Sequence, residues 1–386
     1  MKKILALILA LVMALSLVAC GGGDNTDTPD DSNEPEYKIA MVTDYGDITD
    51  QSFNQTTYEA CKAFADANGV DFTYYKPAGD SDAERVAMIE KAVDEGYNVI
   101  VLPGFAFANA IAQTAPTYTD VKFIALDVSE FDLTSAGLTA DTMKNVYSAV
   151  YQEELSGYMA GYAAGKMGYT KLGFLGGMAV PAVQKFGYGF VQGVDAAAKE
   201  LGITVDMNYI YGGLFYGTAD ITAVMDTWYQ GGTEVVFACG GGIFTSAVDA
   251  AMKVDGAKVI GVDVDQAGVI AGYAGMGDDK SLTITSAMKG LYPTTVDTLT
   301  DVVNNGNWDK YAGKVETLGL VSGDDPTLNY VQIPMESTQW SDSFTQDDYK
   351  ALVKGLFDGS IVVSADTSVE PTVTNVNVTY LGQIVG

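Results

Sequence analysis

From residue 37 onward, short runs rich in β-branched and aromatic residues alternate with longer segments of helical periodicity. This alternation predicts parallel sheets, because parallel strands need a long crossover that is usually a helix. The runs are almost continuously apolar, which is typical of strands covered by helices on both faces. The predicted strands span residues 38–44, 71–77, 98–103, 122–127, 171–176, 207–211, 234–240, 258–265, 281–289 and 376–385. The predicted helices span residues 52–68, 81–95, 106–115, 143–167, 181–201, 218–230, 244–254, 293–305 and 347–357.

These strands are too numerous for one small sheet. The first four and the next four each form a plausible doubly wound unit, and an irregular stretch at 128–139 separates them. We therefore predict an α/β fold of two similar lobes. Ligands bind beyond the carboxyl ends of the strands in open α/β sheets, so two facing lobes would enclose a cleft. Movement about a hinge would open and close that cleft.

The first twenty residues have the pattern of a secretory signal. Lys2 and Lys3 precede an apolar run at 4–18, which is too short to span a hydrocarbon core of about 30 Å. The run ends in Leu-Val-Ala-Cys, with Cys20 followed by glycine, and this resembles a bacterial lipobox. We predict cleavage after residue 19 and lipidation of Cys20; the alternative is an ordinary signal peptide with a chance cysteine.

Residues 20–36 predict a disordered, lipid-anchored tether. Glycine, proline and acidic residues dominate this stretch, and it offers almost nothing apolar to bury. Its acidic residues are too irregularly spaced for a calcium site, so we interpret the stretch as a solvated spacer. Removal of residues 1–19 leaves 19 basic and 50 acidic residues, a net charge of −31. A body of that charge does not adhere to an anionic membrane, so lipid would have to hold it there.

The composition excludes several classes of function. A net charge of −29 argues against nucleic-acid binding, which needs a basic face to neutralise phosphates. The chain has no histidine, which excludes a histidine-based catalytic triad and a histidine-ligated zinc site. Three cysteines are too few for a disulfide framework. Cys61 and Cys239 are expected to be buried free thiols, the alternative being a bridge that locks the hinge.

Polar and aromatic residues follow the first predicted strand. The strand ends at Asp44 and leads into a helix through a loop that contains Asp50 and Ser52. Either of those two side chains is suited to cap the helix. Phe53 and Asn54 offer a stacking face and a donor–acceptor pair beside the strand end, which favours a ligand-binding role.

Charged residues close three other predicted strands. Asp127 and Asp263 lie at strand ends, and Lys289 ends the run at 281–289. A carboxylate accepts hydrogen bonds from neighbouring sugar hydroxyls, and an ammonium donates to the same oxygens. The alternative is a surface loop or a hinge salt bridge. Near the fifth strand, Phe186 is placed to reach the cleft from the start of a helix.

A glycine run at 240–242 follows a strand and has two interpretations. Backbone N–H groups of such a run can cradle a phosphate. The run lacks the pattern GxxxxGK[ST] and a full GxGxxG, so a tight strand-to-helix turn is favoured.

Several segments together resemble the basic membrane protein (BMP) family, the lipid-anchored substrate-binding proteins of nucleoside ABC importers. The resemblance runs in order from about residue 38 to about residue 302. It is carried by DYGDITDQSFNQ (44–55), KFIALD (122–127), EELSGYMAGYAAGKMG (153–168), KLGFLGG (171–177), FGYGFVQGVDAA (186–197), GTEVVFACGGG (232–242), VIGVDVDQ (259–266) and TSAMKG (285–290).

This resemblance implies a type I periplasmic-binding-protein fold with three hinge crossovers. Lobe 1 would then comprise residues 37–142 and about 266–335, and lobe 2 residues 143–265 and about 336–386. The family's usual Gly-Thr-Gly after the seventh strand is Gly-Gly-Ile here (241–243), and residues 308–386 do not match clearly.

The resemblance also implies the roles of individual residues toward a nucleoside, for which purines are the common base. Asp263 and Lys289 would hold the ribose hydroxyls, and Asp127 and Asn54 would contact base edges. Phe53 and two further aromatic residues would stack on the base. The full set of expected ligand-binding residues is Asp44, Phe53, Asn54, Phe105, Asp127, Phe186, Gly241, Asp263 and Lys289.

We therefore expect a monomeric, extracytoplasmic, lipid-anchored protein that delivers a nucleoside to an ABC permease in the cell membrane. No cofactor, metal, nucleic acid or enzymatic activity is expected. The alternatives are binding of a sugar, autoinducer or other small metabolite, and a sensory or surface-antigen lipoprotein of the same fold. A nucleoside hydrolase is a further alternative, since Asp44, Asp47 and Asp50 lie close together, but no hydrolase motif accompanies them.

Overall fold

A computed structural model of the chain describes residues 36–385, which form two mainly parallel sheets. The predicted signal segment at 1–19 and almost all of the tether at 20–36 therefore lie outside the described residues. The strands are β1 (Lys38–Val42), β2 (Asp71–Tyr75), β3 (Val99–Pro103), β4 (Lys122–Leu126), β5 (Val146–Tyr151), β6 (Lys171–Gly176), β7 (Val205–Tyr211), β8 (Val235–Cys239), β9 (Lys258–Asp263), β10 (Thr283–Lys289), β11 (Lys314–Leu318), β12 (Val331–Gln332) and β13 (Val376–Gln383).

Helices connect most of these strands. They are α1 (Phe53–Asn68), α2 (Asp82–Asp94), α3 (Ala108–Thr114), α4 (Glu130–Ser135), α5 (Glu153–Lys166), α6 (Pro181–Leu201), α7 (Ala219–Gln230), α8 (Phe244–Ala251), α9 (Ala267–Tyr273), α10 (Leu291–Leu299) and α11 (Gln346–Phe357). Within residues 36–385, none of them combines the length and the apolar character that crossing a membrane requires.

The first sheet has the strand order β11-β5-β4-β3-β1-β2, and all of its pairs are parallel. Successive residues of β1 contribute to different hydrophobic clusters: Ile39 packs with α1 and α10, and Ala40 packs with α2 and α3. Since side chains alternate between the two faces of a strand, this sheet is covered by helices on both faces.

The second sheet has the order β12-β10-β9-β8-β6-β7-β13. Its strands are parallel except for β12, which runs antiparallel to β10. One face packs against α5, α6 and α11, and the other against α7, α8 and α9. Each sheet with its helices is one lobe, and the chain is an α/β protein as predicted.

Between residues 36 and 385 the chain passes between the lobes three times: from β5 to α5, from β10 to α10, and from β11 to β12. This connectivity confirms the type I periplasmic-binding-protein fold. The first two crossings are short, since α5 begins two residues after Tyr151 and α10 begins two residues after Lys289. Residues at the ends of β5 and β10 therefore lie at the junction of the lobes.

The expected start of lobe 2 at residue 143 is wrong by one strand. The segment 143–167 was predicted as a single helix, but Val146–Tyr151 is strand β5, which pairs with β4 and β11 in the first sheet. Its sequence VYSAVY consists mostly of β-branched and aromatic residues, which favour a strand. Helix α5 begins two residues after β5 and is also rich in apolar residues. In the sequence, the strand and the helix therefore look like one continuous helical segment.

The expected assignment of 266–335 to lobe 1 also needs correction. Strand β10 pairs in parallel with β9, and β12 pairs with β10, so both belong to the second sheet. Only the part from α10 to β11 returns to lobe 1. The sequence did not predict β11, because its residues KVETL are half-exposed at the sheet edge and lack a long apolar run.

The last 40 described residues contain the two predicted elements. Helix α11 begins after Thr345, whose side chain accepts a hydrogen bond from the backbone of Asp348 in a capping box. Strand β13 then adds in parallel to β7 at the edge of the second sheet.

Glycines allow α5 and α6 to pack backbone against backbone. A Cβ added at Gly157 would lie 2.2 Å from the carbonyl oxygen of Phe186, and one at Gly161 would lie 2.2 Å from that of Phe190. On α6, Gly189 and Gly193 face the carbonyls of α5 equally closely. Because α5 follows the first crossing and α6 carries Phe186, this contact fixes two elements that lead to the cleft.

We expect Gly161→Ala to lower the free energy of unfolding by about 1–3 kcal/mol, since the added methyl forces two backbones apart. Urea denaturation followed by circular dichroism measures the change. Gly272→Ala on α9 is the control, because a Cβ there meets no atom of residues 36–385 within 4 Å. It should leave stability unchanged or raise it by up to about 1 kcal/mol through helix propensity. Equal effects of the two substitutions would contradict the packing argument.

Candidate ligand-binding site

A cavity of about 660 Å³ lies where the carboxyl ends of strands from both sheets face each other. From lobe 1 it is lined by residues that follow β1, β3 and β4, and from lobe 2 by residues at the ends of β8, β9 and β10. The start of α6 closes another side. The location agrees with the general rule for open α/β sheets.

All nine residues predicted to bind a ligand line this one cavity, although they are spread over 246 positions of the chain. They are Asp44, Phe53, Asn54, Phe105, Asp127, Phe186, Gly241, Asp263 and Lys289. Their convergence is a fact of the fold, while their contact with a ligand remains a prediction.

Lys289 lies at the centre of a buried charge cluster. Its Nζ donates a short hydrogen bond to the Asp127 carboxylate of lobe 1, and lies 3.7 Å from Asp263 Oδ1 and 3.6 Å from Glu153 Oε1. Burial by itself lowers the pKa of Lys289, but the three carboxylates outweigh it and hold the pKa above its usual value. The lysine is therefore charged and joins the two lobes.

Glu153 is a member of this cluster that the sequence did not single out. Its side chain is almost fully buried and does not line the cavity. Lys185 Nζ lies 3.3 Å from Glu153 Oε2 and also donates to the Tyr151 carbonyl, 3.1 Å away. Burial raises the pKa of Glu153, and the two lysines oppose the rise. Glu153, at the first crossing between the lobes, thus pairs with the Lys289 ammonium without lining the cavity.

Hydrogen bonds across the cleft connect the loop before α1 to lobe 2. Ser52 Oγ donates to Asp263 Oδ2 at 2.5 Å, and Gln266 Nε2 donates to the Gln51 carbonyl at 3.1 Å. Ser52 therefore does not cap α1. That role falls to Asp50, which accepts hydrogen bonds from three backbone N–H groups at the start of the helix.

Three residues at the cleft have left-handed backbone conformations that are unusual for residues other than glycine. The φ angles are 55° at Gln51, 62° at Asp127 and 64° at Asp263. Such conformations each cost on the order of 1–3 kcal/mol and persist where surrounding contacts hold them. Here the contacts are the cross-cleft hydrogen bond of Gln51 and the charge cluster around Lys289.

Asp44 and Asn54 place hydrogen-bond acceptors in the cavity. Asp44 Oδ1 accepts from the Gly46 backbone at 2.6 Å and from Asn54 Nδ2 at 3.3 Å. Burial raises the pKa of Asp44 to about 6, although these hydrogen bonds oppose the shift. Asn54 Oδ1 and Asp127 Oδ1 are buried acceptors that have no hydrogen-bond partner among residues 36–385. The cavity therefore suits a molecule with N–H or O–H donors.

Aromatic rings surround the charge cluster. The Phe53 ring centroid lies 4.7 Å from Lys289 Nζ, and that of Phe186 lies 5.6 Å from it. Phe215 and Tyr45, which were not among the predicted ligand-binding residues, face each other across the cleft with ring centroids 6.2 Å apart. The cavity thus combines flat apolar faces with a polar cluster.

The glycine run after β8 serves as a turn that accommodates Phe215. A Cβ at Gly240 would lie 2.8 Å from the Phe215 ring, and one at Gly177 would lie 2.4 Å from it. The Gly242 N–H donates to the Phe215 carbonyl at 2.8 Å, so it is not free to cradle a phosphate. One sequence feature could have pointed to Phe215. The aromatic segment LFYG (214–217) occurs in a chain with two glycine-rich strand ends, which leave room for a ring.

Within the described residues, Cys61 and Cys239 are both buried and free, as expected, and Cys239 lines the cavity. In the part of the chain that the structure describes, no group of three or more acidic or cysteine side chains is arranged to hold a metal ion.

Comparisons with known proteins agree with this architecture. Residues 37–343 match the sequence model of a family described as PnrA-like ABC transporter substrate-binding proteins. An ABC transporter nucleoside-binding protein of Lactococcus lactis is 27% identical, over 83% of this chain and 90% of that protein. An uncharacterized lipoprotein of Pyrococcus furiosus is 25% identical, over 90% of this chain and 83% of that protein.

A solved ABC transporter solute-binding protein from Aeropyrum pernix shares the fold. Its TM-score is 0.65 at 22% identity, covering 84% of this chain and 87% of the other. The family is one of transport binding proteins and not of enzymes. The family match covers most of the described body and contains every residue of the cavity discussed above, and the chain therefore belongs to the PnrA-like family of ABC transporter substrate-binding proteins.

Proposed function

We propose that this ABC transporter substrate-binding protein captures a nucleoside with a purine base in the cleft and delivers it to a membrane permease. The observation that carries the proposal is the pairing of aromatic faces with a buried acid–lysine pair in one cavity of about 660 Å³. A nucleoside has the matching halves, a flat base and a hydroxylated ribose. The name of the Lactococcus lactis relative supports the same ligand class.

The base would lie among the aromatic residues. Phe53, Phe105 and Phe186 line the cavity, and Phe215 adds a ring from the opposite side. Stacking of a base on an aromatic side chain contributes about 1–3 kcal/mol. Asn54 Oδ1 and Asp127 Oδ1, which lack a partner within the described part of the chain, would accept hydrogen bonds from N–H groups at the base edge.

The ribose would lie at Asp263 and Lys289. A carboxylate accepts hydrogen bonds from hydroxyls, and an ammonium has three donors, of which the bond to Asp127 uses one. Glu153 would keep the lysine in position when a ligand is bound, since it contacts Lys289 from outside the cavity. A site built for hydroxyls discriminates against analogues that lack them, because its polar groups lose their partners.

The acidic character of the cavity favours an uncharged nucleoside over a nucleotide. Five aspartates line the cavity against the two lysines Lys76 and Lys289. A phosphate would add charge of the same sign as the protein, whose net charge is −29.

Ligand binding would favour the closed arrangement of the lobes. Contacts such as Asp127 with Lys289 and Ser52 with Asp263 join the two lobes and would separate on opening. A nucleoside that bridges both lobes binds better to the closed state and shifts the population toward it. A permease could then recognise the closed form.

Lipid on Cys20 would anchor the protein to the extracytoplasmic face of the cell membrane, with residues 20–36 as the tether. The support is the basic start, the short apolar run and the small residues before Cys20. The Pyrococcus furiosus relative is also named a lipoprotein. We propose that the protein acts there as a monomer.

A panel of ligands tests the nucleoside proposal against the sugar alternative. Thermal-shift assays with adenosine, guanosine, ribose, glucose and arabinose should show stabilisation by a purine nucleoside and little by the sugars. Mass spectrometry of small molecules released from the purified protein checks the result independently. Stabilisation by a sugar alone would overturn the proposal.

We expect Asp263→Ala to weaken binding of the preferred ribonucleoside by roughly 2–5 kcal/mol, since Lys289 loses a partner and the hydroxyls lose an acceptor. Isothermal titration calorimetry measures the change, and the 2′-deoxynucleoside should bind less tightly than the ribonucleoside. Asp265→Ala is the matched control, because Asp265 is two residues away and does not line the cavity. A loss below threefold for Asp263→Ala would exclude the ribose role.

We expect nucleoside affinity to rise as the pH increases from 5 to 7. Asp44 has a pKa raised to about 6, and an N–H donor of the ligand stabilises its ionised form, so binding releases a proton near pH 6. Calorimetry in two buffers of different ionisation enthalpy measures the release. Burial also raises the pKa values of Asp50 and Asp263, so Asp44→Asn is needed to isolate the contribution of Asp44. An unchanged proton release in Asp44→Asn would rule out this role.

We expect Cys20→Ser to abolish lipid incorporation and to move the protein from the membrane fraction to the soluble fraction. Metabolic labelling with radioactive palmitate and cell fractionation measure both effects. Cys61→Ala is the control, because that thiol is buried in the core and should not affect labelling. Labelling of the Cys20→Ser protein would refute the anchor.

A further inference from the structure

The segment 374–385 lies outside the residues that match the family, which end at 343. It contains β13, which lies parallel to β7 at the edge of the second sheet. Beyond β13, the Ile384 N–H donates to the Tyr211 carbonyl at 2.9 Å, and the Val385 N–H donates to the Gly212 carbonyl at 3.1 Å. The segment therefore reaches past the end of β7 and holds the start of the following loop.

That loop, residues 212–217, carries Phe215 and forms one wall of the cavity; we name it the roof loop. Two hydrogen bonds connect the roof loop to the glycine-rich ends of β6 and β8. The Gly213 N–H donates to the Gly177 carbonyl at 2.9 Å, and the Phe215 carbonyl accepts from the Gly242 N–H. The roof loop thus lies between the glycine-rich strand ends and residues 384–385.

Gly213 shows how closely the segment approaches. Its φ angle is 85°, and an added Cβ would lie 2.0 Å from the Val385 carbonyl oxygen. Glycine is required here both by the backbone conformation and by the contact. The loop and the segment are therefore fitted to each other at this position.

The segment is also anchored at places remote from the cavity. Asp195 on α6 accepts hydrogen bonds from the backbone N–H groups of Thr374, at 2.9 Å, and Asn375, at 2.6 Å. At the other end, the Ile384 side chain packs against the hydrophobic cluster that the second sheet forms with α7, α8 and α9. A segment fixed at both ends is able to serve as a support for the loop beside it.

We propose that Ile384 and Val385 are positioning residues for the ligand site, which hold the roof loop so that Phe215 faces Tyr45 across the cavity. They do not line the cavity and act through the loop. The consequence for affinity rests on the proposed nucleoside binding, whereas the support of the loop does not.

Ile384→Pro tests the support directly, because proline has no N–H to donate to the Tyr211 carbonyl. Hydrogen–deuterium exchange of the protein without added nucleoside should show at least tenfold faster exchange at Gly213 and Gly242, whose amide hydrogen bonds hold the roof loop. Asn377→Ala is the control, since it removes a 2.9 Å side-chain hydrogen bond from β13 to Asp206, away from the loop. Equal exchange in Ile384→Pro and the control would overturn the proposal.

Gly213→Ala tests the same contact from the loop side. Its added methyl meets Val385, so it should also accelerate exchange at Gly242. Gly213→Ala also strains the backbone at φ 85°, but both substitutions disturb the contact between the segment and the roof loop. Their effects on the melting temperature should therefore be less than additive in the double variant. Additive effects would show that the segment and the loop act independently, which contradicts the proposal.

Calorimetry with adenosine and guanosine then measures the functional consequence. We expect Ile384→Pro to weaken binding of whichever nucleoside the unmodified protein binds by about tenfold, with Asn377→Ala unchanged. If neither nucleoside binds the unmodified protein, the proposed function is wrong. The hydrogen–deuterium exchange experiment still tests whether Ile384 and Val385 hold the roof loop, because it needs no ligand. Faster exchange with unaltered affinity would refute the role in ligand binding.

Discussion

The arrangement of the cleft depends on one buried ammonium group. Lys289 lies at a crossing between the lobes and contacts carboxylates from lobe 1, from lobe 2 and from the other short crossing. Removing one partner from a buried ion cluster leaves an uncompensated charge, which is strongly unfavourable. The arrangement of the two lobes seen here therefore depends on the carboxylates that surround Lys289 Nζ. A ligand with hydrogen-bond donors and acceptors beside Lys289 would change the free energy of this charge cluster.

Around this cluster, close contacts at glycines position several elements that surround the cavity. Glycines let α5 pack on α6, let the turn after β8 pass under Phe215, and let residue 385 pass beside Gly213. In each case the absence of a Cβ brings two backbones, or a backbone and a ring, into direct contact. Such close contacts leave the turn after β8 and the Phe215 ring little room to move relative to each other, and a site ordered before binding would lower the conformational cost of binding the proposed ligand.

Much of the site was predictable because strand ends in parallel sheets meet at one edge. Asp44, Asp127 and Asp263 each follow an apolar run, and that pattern can be recognised without the fold. Glu153 and Phe215 could not be selected in this way. Glu153 lies at the start of a helix, and its importance comes from two lysines that are 32 and 136 residues away along the chain. Phe215 lies in a loop whose position depends on two other strand ends.

The sequence by itself determined the α/β class, the two sheets and the acidic and aromatic character of the strand ends, because these follow from local periodicity and residue type. Only the tertiary structure decided that β5 belongs to lobe 1 and β10 to lobe 2. It also decided that the acids share one lysine and that residues 384–385 hydrogen-bond to the end of β7 and the start of the roof loop. The physical reason is that lobe membership and the charge cluster depend on pairings between distant segments, on which local patterns carry no information.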